Sequence, residues 1–193
     1  MSEPLQAHSV NEARYYLKVT PCPACGKGPW EVDEQPSDGG EGAAFNGHCR
    51  HCGAKQEFRF RCAKGRGDTG DDEVINPTDE PSTLVDLRQW LSLFYALIEA
   101  ATREPSRPEA RRIGYRAALC LAEALKFYGD DELPPESAFF TETTAEAFRE
   151  HPEKFARQRL VDMRSKLPSM GTMARQVKRD EKPRRRWWRF WRR

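Results

Sequence analysis

Two short cysteine pairs, Cys22-Pro-Ala-Cys25 and Cys49-Arg-His-Cys52, stand 23 residues apart, and each is followed by a glycine. This spacing constrains the fold more than any other feature of the chain. A two-residue gap sets two sulfurs on one side of a tight turn, where both reach a single metal ion. Two such turns brought together supply four thiolates, the full complement of a closed tetrahedral zinc site. Gly26 and Gly53 suit such turns, because glycine takes a positive φ at no steric cost and lets backbone N–H groups aim at the sulfurs. Cys22, Cys25, Cys49 and Cys52 are therefore the candidate ligands of one structural zinc ion.

The flanking segments carry strand signals. Arg14 to Thr20 is rich in aromatic and β-branched residues and is expected to run as a strand into the first pair, with Pro29 to Val32 leaving it. Ala44 to His48 enters the second pair, and Lys55 to Arg61 leaves it with strict polar/apolar alternation. Asp33 to Gly42 is acidic and Gly-rich and contains Pro36, which reads as a mobile hairpin tip.

Two Cys-x-x-Cys-Gly units, the first with Pro23 after its leading cysteine, give residues 14–62 their family likeness. This segment resembles a zinc ribbon, a small β-hairpin domain built on two zinc knuckles, and the resemblance covers about a quarter of the chain. It implies a hairpin fold held by the ion. A polar stretch of this size has too little apolar surface to hold itself together. Metal binding supplies roughly 10–16 kcal/mol of apparent folding free energy to such modules.

Other chemistries of four cysteines set the alternatives. A rubredoxin-like site uses the same two knuckles to hold iron for electron transfer, so iron is the alternative ion to zinc. A redox dithiol would sit beside a βαβ pattern, which neither pair has. A catalytic zinc keeps an open position for water, and four cysteines close it. His48 and His51 flank the second knuckle, where they can replace a sulfur, donate to a thiolate or face solvent. Cys62 and Cys120 have no partner nearby in sequence and read as small hydrophobes.

With 193 residues, 38% apolar and 32% charged, the chain has room for one small module and one ordinary core. The opening Met-Ser-Glu-Pro lacks the cationic and apolar regions of a secretory signal. The apolar-rich run from Trp90 to Ile98 is too short to cross a bilayer. Cysteine pairs without a signal segment suit a reducing compartment, so a cytoplasmic location is expected, with peripheral membrane association as an option. Residues 1–13 are expected to be a disordered N-terminus, and 63–81 an acidic, Gly- and Pro-bearing flexible linker.

Beyond the linker the apolar period becomes helical. Ser82 or Thr83 can cap a helix whose stripe runs Leu84, Leu87, Leu91, Phe94, Ile98 and Ala101. Ser106, Pro108 and Glu109 start a second helix with a capping box and an early proline, and Gly129 is placed to end it. The short connection makes the pair antiparallel. Thr143 to Glu150 and a segment after Pro152, with Phe155, Leu160, Met163 and Leu167 as its stripe, add shorter helices. The expected fold class is α+β: an N-terminal β-hairpin zinc ribbon, then a bundle of three to four helices over 82–168, then a disordered basic tail over 169–193.

That tail concentrates charge. From residue 172 onward the chain is net +8, which leaves −6 on the remainder of a chain of net +2. It closes on Arg184, Arg185, Arg186, Trp187, Trp188, Arg189, Phe190, Trp191, Arg192 and Arg193. Arginines bind phosphates while tryptophans stack on unpaired bases, which suits single-stranded nucleic acid. The same residues suit an anionic membrane surface, where aromatics sit at the headgroups and arginines meet lipid phosphates. A third outcome is that the tail folds back on the acidic body.

No metalloprotease, nucleophile-elbow, phosphate-loop or dinucleotide motif occurs. The function expected is a non-enzymatic zinc-binding adaptor or recognition protein with a protein partner. The first alternative is a nucleic-acid-binding regulator using ribbon and tail. The further alternatives are a rubredoxin-like iron carrier and an enzyme with a structural zinc.

Overall fold

A computed structural model of the chain describes residues 3–33, 42–62 and 74–181. Within them lie a four-stranded sheet and six α-helices, a mixed α+β architecture. The strands are β1 (Leu5–Ala7), β2 (Trp30–Asp33), β3 (Gly42–Cys49) and β4 (Lys55–Cys62), in the order β1-β4-β3-β2. β2 and β3 pair antiparallel, as do β3 and β4, and β1 lies parallel to β4. The helices are α1 (Val10–Val19), α2 (Leu87–Arg103), α3 (Arg107–Leu125), α4 (Glu142–Glu150), α5 (Arg157–Ser165) and α6 (Met170–Glu181).

Period-two alternation makes one face of the sheet apolar. Ala43, Phe45, Gly47 and Cys49 of β3 point inward, and Phe58 and Phe60 of β4 meet them across the ladder. Trp30 stands edge-on to Phe58 with ring centroids 5.0 Å apart, and Phe45 edge-on to Phe60 at 5.7 Å. Gly47 is what makes room for them. A Cβ there would lie 3.0 Å from the Phe58 ring and 3.3 Å from that of Trp30.

Arg14 to Val19 is helical, against the expectation of a strand, as the second half of α1, and Thr20 is the extended residue that caps its end. Ser9 caps it by accepting from the Glu12 N–H at 3.1 Å, and the buried Glu12 carboxylate accepts in turn from the His8 N–H at 2.5 Å. Ala13 and Leu17 enter the sheet's core. Tyr15 enters a second core made by α2, α3 and the segments after them. The expected disordered N-terminus accordingly carries β1 and the first turn of α1.

Part of the expected linker is also ordered. Ile75 and Asn76 are buried at 2% and 5% exposure. Ser9 Oγ donates to the Ile75 carbonyl, and Asn11 to that of Val74 at 3.0 Å. Residues 63–73 of that stretch, and 34–41 of the expected hairpin tip, lie outside the described residues.

α2 starts later than the sequence suggested. Its cap is Asp86, which accepts from the Gln89 N–H at 2.8 Å while the Gln89 side chain accepts from the Asp86 N–H at 2.9 Å. Ser82 instead gathers the Leu84 and Val85 amides into the turn that precedes it. Ser106 does occupy the cap position of α3 but makes no side-chain cap, and Glu109 pairs with Arg112 rather than closing a capping box. Gly129 adopts a φ of +52° just past the helix end.

α2 and α3 pack along their length, with Trp90, Leu91 and Phe94 facing Ala117, Leu121 and Ala124. The stretch expected to begin the disordered tail forms α6, which seats Met173 and Val177 on Tyr115 and Ala118 of α3. Four α-helices, α2 to α5, lie within the 82–168 stretch where three to four were expected, and α6 adds a fifth beyond it.

Candidate metal centre

The first cysteine pair occupies the turn between α1 and β2, and the second the turn between β3 and β4. Both turns are built alike. Gly26 N–H donates to the Cys22 carbonyl at 2.7 Å, and Gly53 N–H to the Cys49 carbonyl at 2.8 Å. Each leading cysteine then donates its own N–H across the turn, Cys22 to Lys27 at 2.5 Å and Cys49 to Ala54 at 2.8 Å. The two glycines carry φ of +68° and +73°, the left-handed conformation that their position requires. Arg50 N–H donates to the Pro29 carbonyl at 3.1 Å and so ties the second turn to the strand leaving the first.

Four sulfurs converge there. Cys22 Sγ lies 3.7 Å from Cys52 Sγ and Cys25 Sγ 3.8 Å from Cys49 Sγ, and all four fall within 4.8 Å of one another. These are not disulfides, whose sulfurs are about 2.05 Å apart. A tetrahedral zinc with 2.3 Å arms places its sulfurs about 3.8 Å apart. The spacing and the donor set therefore fit a four-thiolate ion, and Cys22, Cys25, Cys49 and Cys52 would hold it. Cys22 and Cys49 are buried at 1% and belong to the sheet's core, Cys25 is half-buried and Cys52 exposed.

Backbone hydrogen bonds from Cys52 and His51 hold the Cys49 thiol down, at about 7. Cys25 moves the other way. A backbone hydrogen bond at Lys27 pulls it down, but lost hydration and hydrogen bonds with the three other sulfurs push it up to about 12.

Neither flanking histidine joins the cluster. His48 sits opposite Glu31 across β2 and β3, with Nε2 3.0 Å from the carboxylate, and Arg50 reaches the same carboxylate at 3.6 Å. This exposed trio was not foreseen, and the residues that predict it are strand partners separated by a loop. His51 is exposed on the second turn, outside the four-sulfur group. Cys62 ends β4 away from the sulfurs. Cys120 is fully buried on α3, and burial pushes its thiol up to about 12, as befits a packing residue. The Arg184–Arg193 segment, named above as a binding tail, lies outside the described residues. No helix among those described is long and apolar enough to cross a membrane.

Fold and site together define a mixed α+β protein with a four-cysteine candidate metal centre between two matched turns. Comparison with protein-family models, with curated proteins and with solved structures finds no match for this chain, so its likeness to zinc ribbons rests on its own residues.

Proposed function

We propose that the chain is a non-enzymatic recognition protein whose N-terminal part is a zinc-ribbon-like module held by one structural zinc. The carrying observation is the spacing of the four sulfurs, which matches the edge of a zinc–thiolate tetrahedron. Four thiolates fill that ion's coordination and leave no position for substrate or activated water, which supports a structural role over a catalytic one. When bound, the ion neutralises the thiolates and cross-links the two turns. The chain's own residues do the rest. Gly26 and Gly53 shape the turns, and Trp30, Phe45 and Phe58 build the core behind them.

On this reading the exposed sheet face and the helices α2–α6 meet a protein partner in the cytoplasm, and the metal holds that surface in shape. Metal analysis tests the central step. One equivalent of zinc per chain, lost in Cys22→Ser and Cys52→Ser, is expected. A sheet module that folds without metal, or iron with its visible thiolate absorption, would overturn it.

A second reading has one observation in its favour. Lys55, Arg59 and Arg61 alternate onto the exposed face of β4, the strand that leaves the second cysteine turn, although Glu57 already engages Arg59 at 2.8 Å. Joined to the arginines and tryptophans of the tail, this face would suit single-stranded nucleic acid. RNA or DNA binding that falls steeply with salt and weakens in Lys55→Ala/Arg61→Ala would support it.

A further inference from the structure

Leu133 and Phe140 remain 45% and 42% exposed, on either side of a 3-10 turn at Glu136–Ala138. Phe140 is held in place: its ring leans on Phe127 with centroids 6.3 Å apart, and its N–H donates to the buried Asp86 carboxylate at 3.3 Å. The stretch around this turn is acidic, with Arg88 of α2 reaching in to the Thr143 carbonyl at 3.5 Å. Residues 129–153 carry eight carboxylates against one arginine, a net −7. That arginine, Arg149, pairs with Glu142 and lies in the fields of Glu136 and Glu146 as well.

The chain holds the complement of this surface. Residues 182–193 carry seven cations, no acids, three tryptophans and a phenylalanine, a net +7. Their point of departure is fixed, because Arg111 Nε donates to Asp180 Oδ2 at 2.8 Å and anchors the end of α6 beside α3. From Arg111 to Leu125, where α3 reaches the acidic segment, is about 21 Å along the helix. Twelve residues span up to about 40 Å.

We propose that the acidic, aromatic face around Leu133 and Phe140 is the docking site for the chain's own residues 182–193, bound within the same molecule. Guanidinium groups pair with the carboxylates, and the tryptophan rings cover the two exposed apolar side chains. Docking withholds the tail from lipid and nucleic acid, and salt or a competing polyanion releases it.

Tryptophan quenching in the full chain tests this. Trp30 and Trp90 are buried at 4% and 0%, so quenchable emission reports Trp187, Trp188 and Trp191. At low salt these should be shielded from acrylamide. Raising the salt, or introducing Glu136→Lys with Glu146→Lys at exposed sites, should increase quenching by about twofold or more as the ion pairs are screened or reversed. Phe140→Ser should do so through the apolar half of the site. Adding Arg185→Glu and Arg186→Glu to the double lysine variant should restore the shielding, which general loss of structure would not. Three results would overturn the proposal. One is quenching at low salt equal to that of a free 182–193 peptide. Another is shielding that rises with protein concentration, which assigns the contact to a second copy. The third is shielding that appears only with anionic vesicles or an RNA oligonucleotide.

Discussion

Tyr15 of α1 packs against Trp90 of α2 with ring centroids 5.7 Å apart and planes inclined at 48°, and both side chains are buried. This contact joins a helix that serves the sheet to the core of the helical segment. Tyr15→Ala is expected to cost about 3 kcal/mol, the range for removing a buried aromatic ring. Urea denaturation followed by far-UV circular dichroism measures it. A loss under 1 kcal/mol would show that the two cores do not depend on this contact.

Metal removal should act first on the sheet. A chelator or Cys52→Ser is expected to expose Trp30, whose ring rests on Phe58 beside the second turn. Its fluorescence should shift to the red, and the near-ultraviolet dichroism of the aromatic cluster should fall. Because thiolates rather than thiols bind the ion, acidification should release it, and affinity should rise with pH.

Three glycines with open space around them should respond in opposite directions. A Cβ at Gly26, Gly53 or Gly114 meets nothing within 4 Å. Gly26 and Gly53 carry positive φ, so alanine there should cost about 1–2 kcal/mol each. Gly114 lies inside α3 with ordinary helical backbone, so Gly114→Ala should stabilise by about 0.5–1 kcal/mol. Thermal midpoints of the three variants, compared under saturating zinc, give the signs directly.

Glu123 gives a pH signature. Burial raises its carboxyl, against the pull of Lys126 Nζ 2.9 Å away, and the nearby Glu12 adds to the rise. The native state therefore keeps a proton that the unfolded chain gives up above its ordinary value of 4.5. Stability from this group is present below that value and is lost as pH rises through the raised one. Glu123→Gln should flatten this decline, so its urea midpoint should gain on the wild type from pH 5 to pH 8.

Lys126 makes the opposite prediction. It also donates to the carbonyls of Asn76 at 3.2 Å and Thr78 at 2.8 Å, so it pins residues 76–78 to the end of α3. Lys126→Met should cost about 2–3 kcal/mol at pH 7, because it leaves the Glu123 carboxyl and the Asn76 and Thr78 carbonyls without their donor. Faster amide exchange at residues 74–80 should accompany the loss.

The cysteine turns were legible in the sequence because metal chemistry dictates their spacing locally, and β3 and β4 because one face of each is wet. α1 was not. Its buried residues Ala13, Tyr15 and Leu17 recur every second position, as in a strand. In the structure that rhythm arises because the helix is covered on two sides, Ala13 and Leu17 by the sheet and Tyr15 by α2. Two-sided burial erases the amphipathic period. The surviving clue was Ser9-Val-Asn-Glu12, which has the spacing of a capping box although Glu12 takes the His8 N–H instead. α6 failed for a different reason, since Met170, Met173 and Val177 do keep helical spacing but are outnumbered by charged and polar neighbours. α2 was placed early because Ser82 has the chemistry of a cap and uses it on a turn.

The burial of α1 decides where this chain can be divided. Its ten residues are a shared wall, and neither side is complete without them. A fragment cut to the cysteine turns and the sheet would present Tyr15 to solvent, and one beginning at α2 would leave Trp90 without its cover. Loss of the metal would likewise not stay local, since α1 ends three residues before Cys22 and passes any loosening of that turn to the far core.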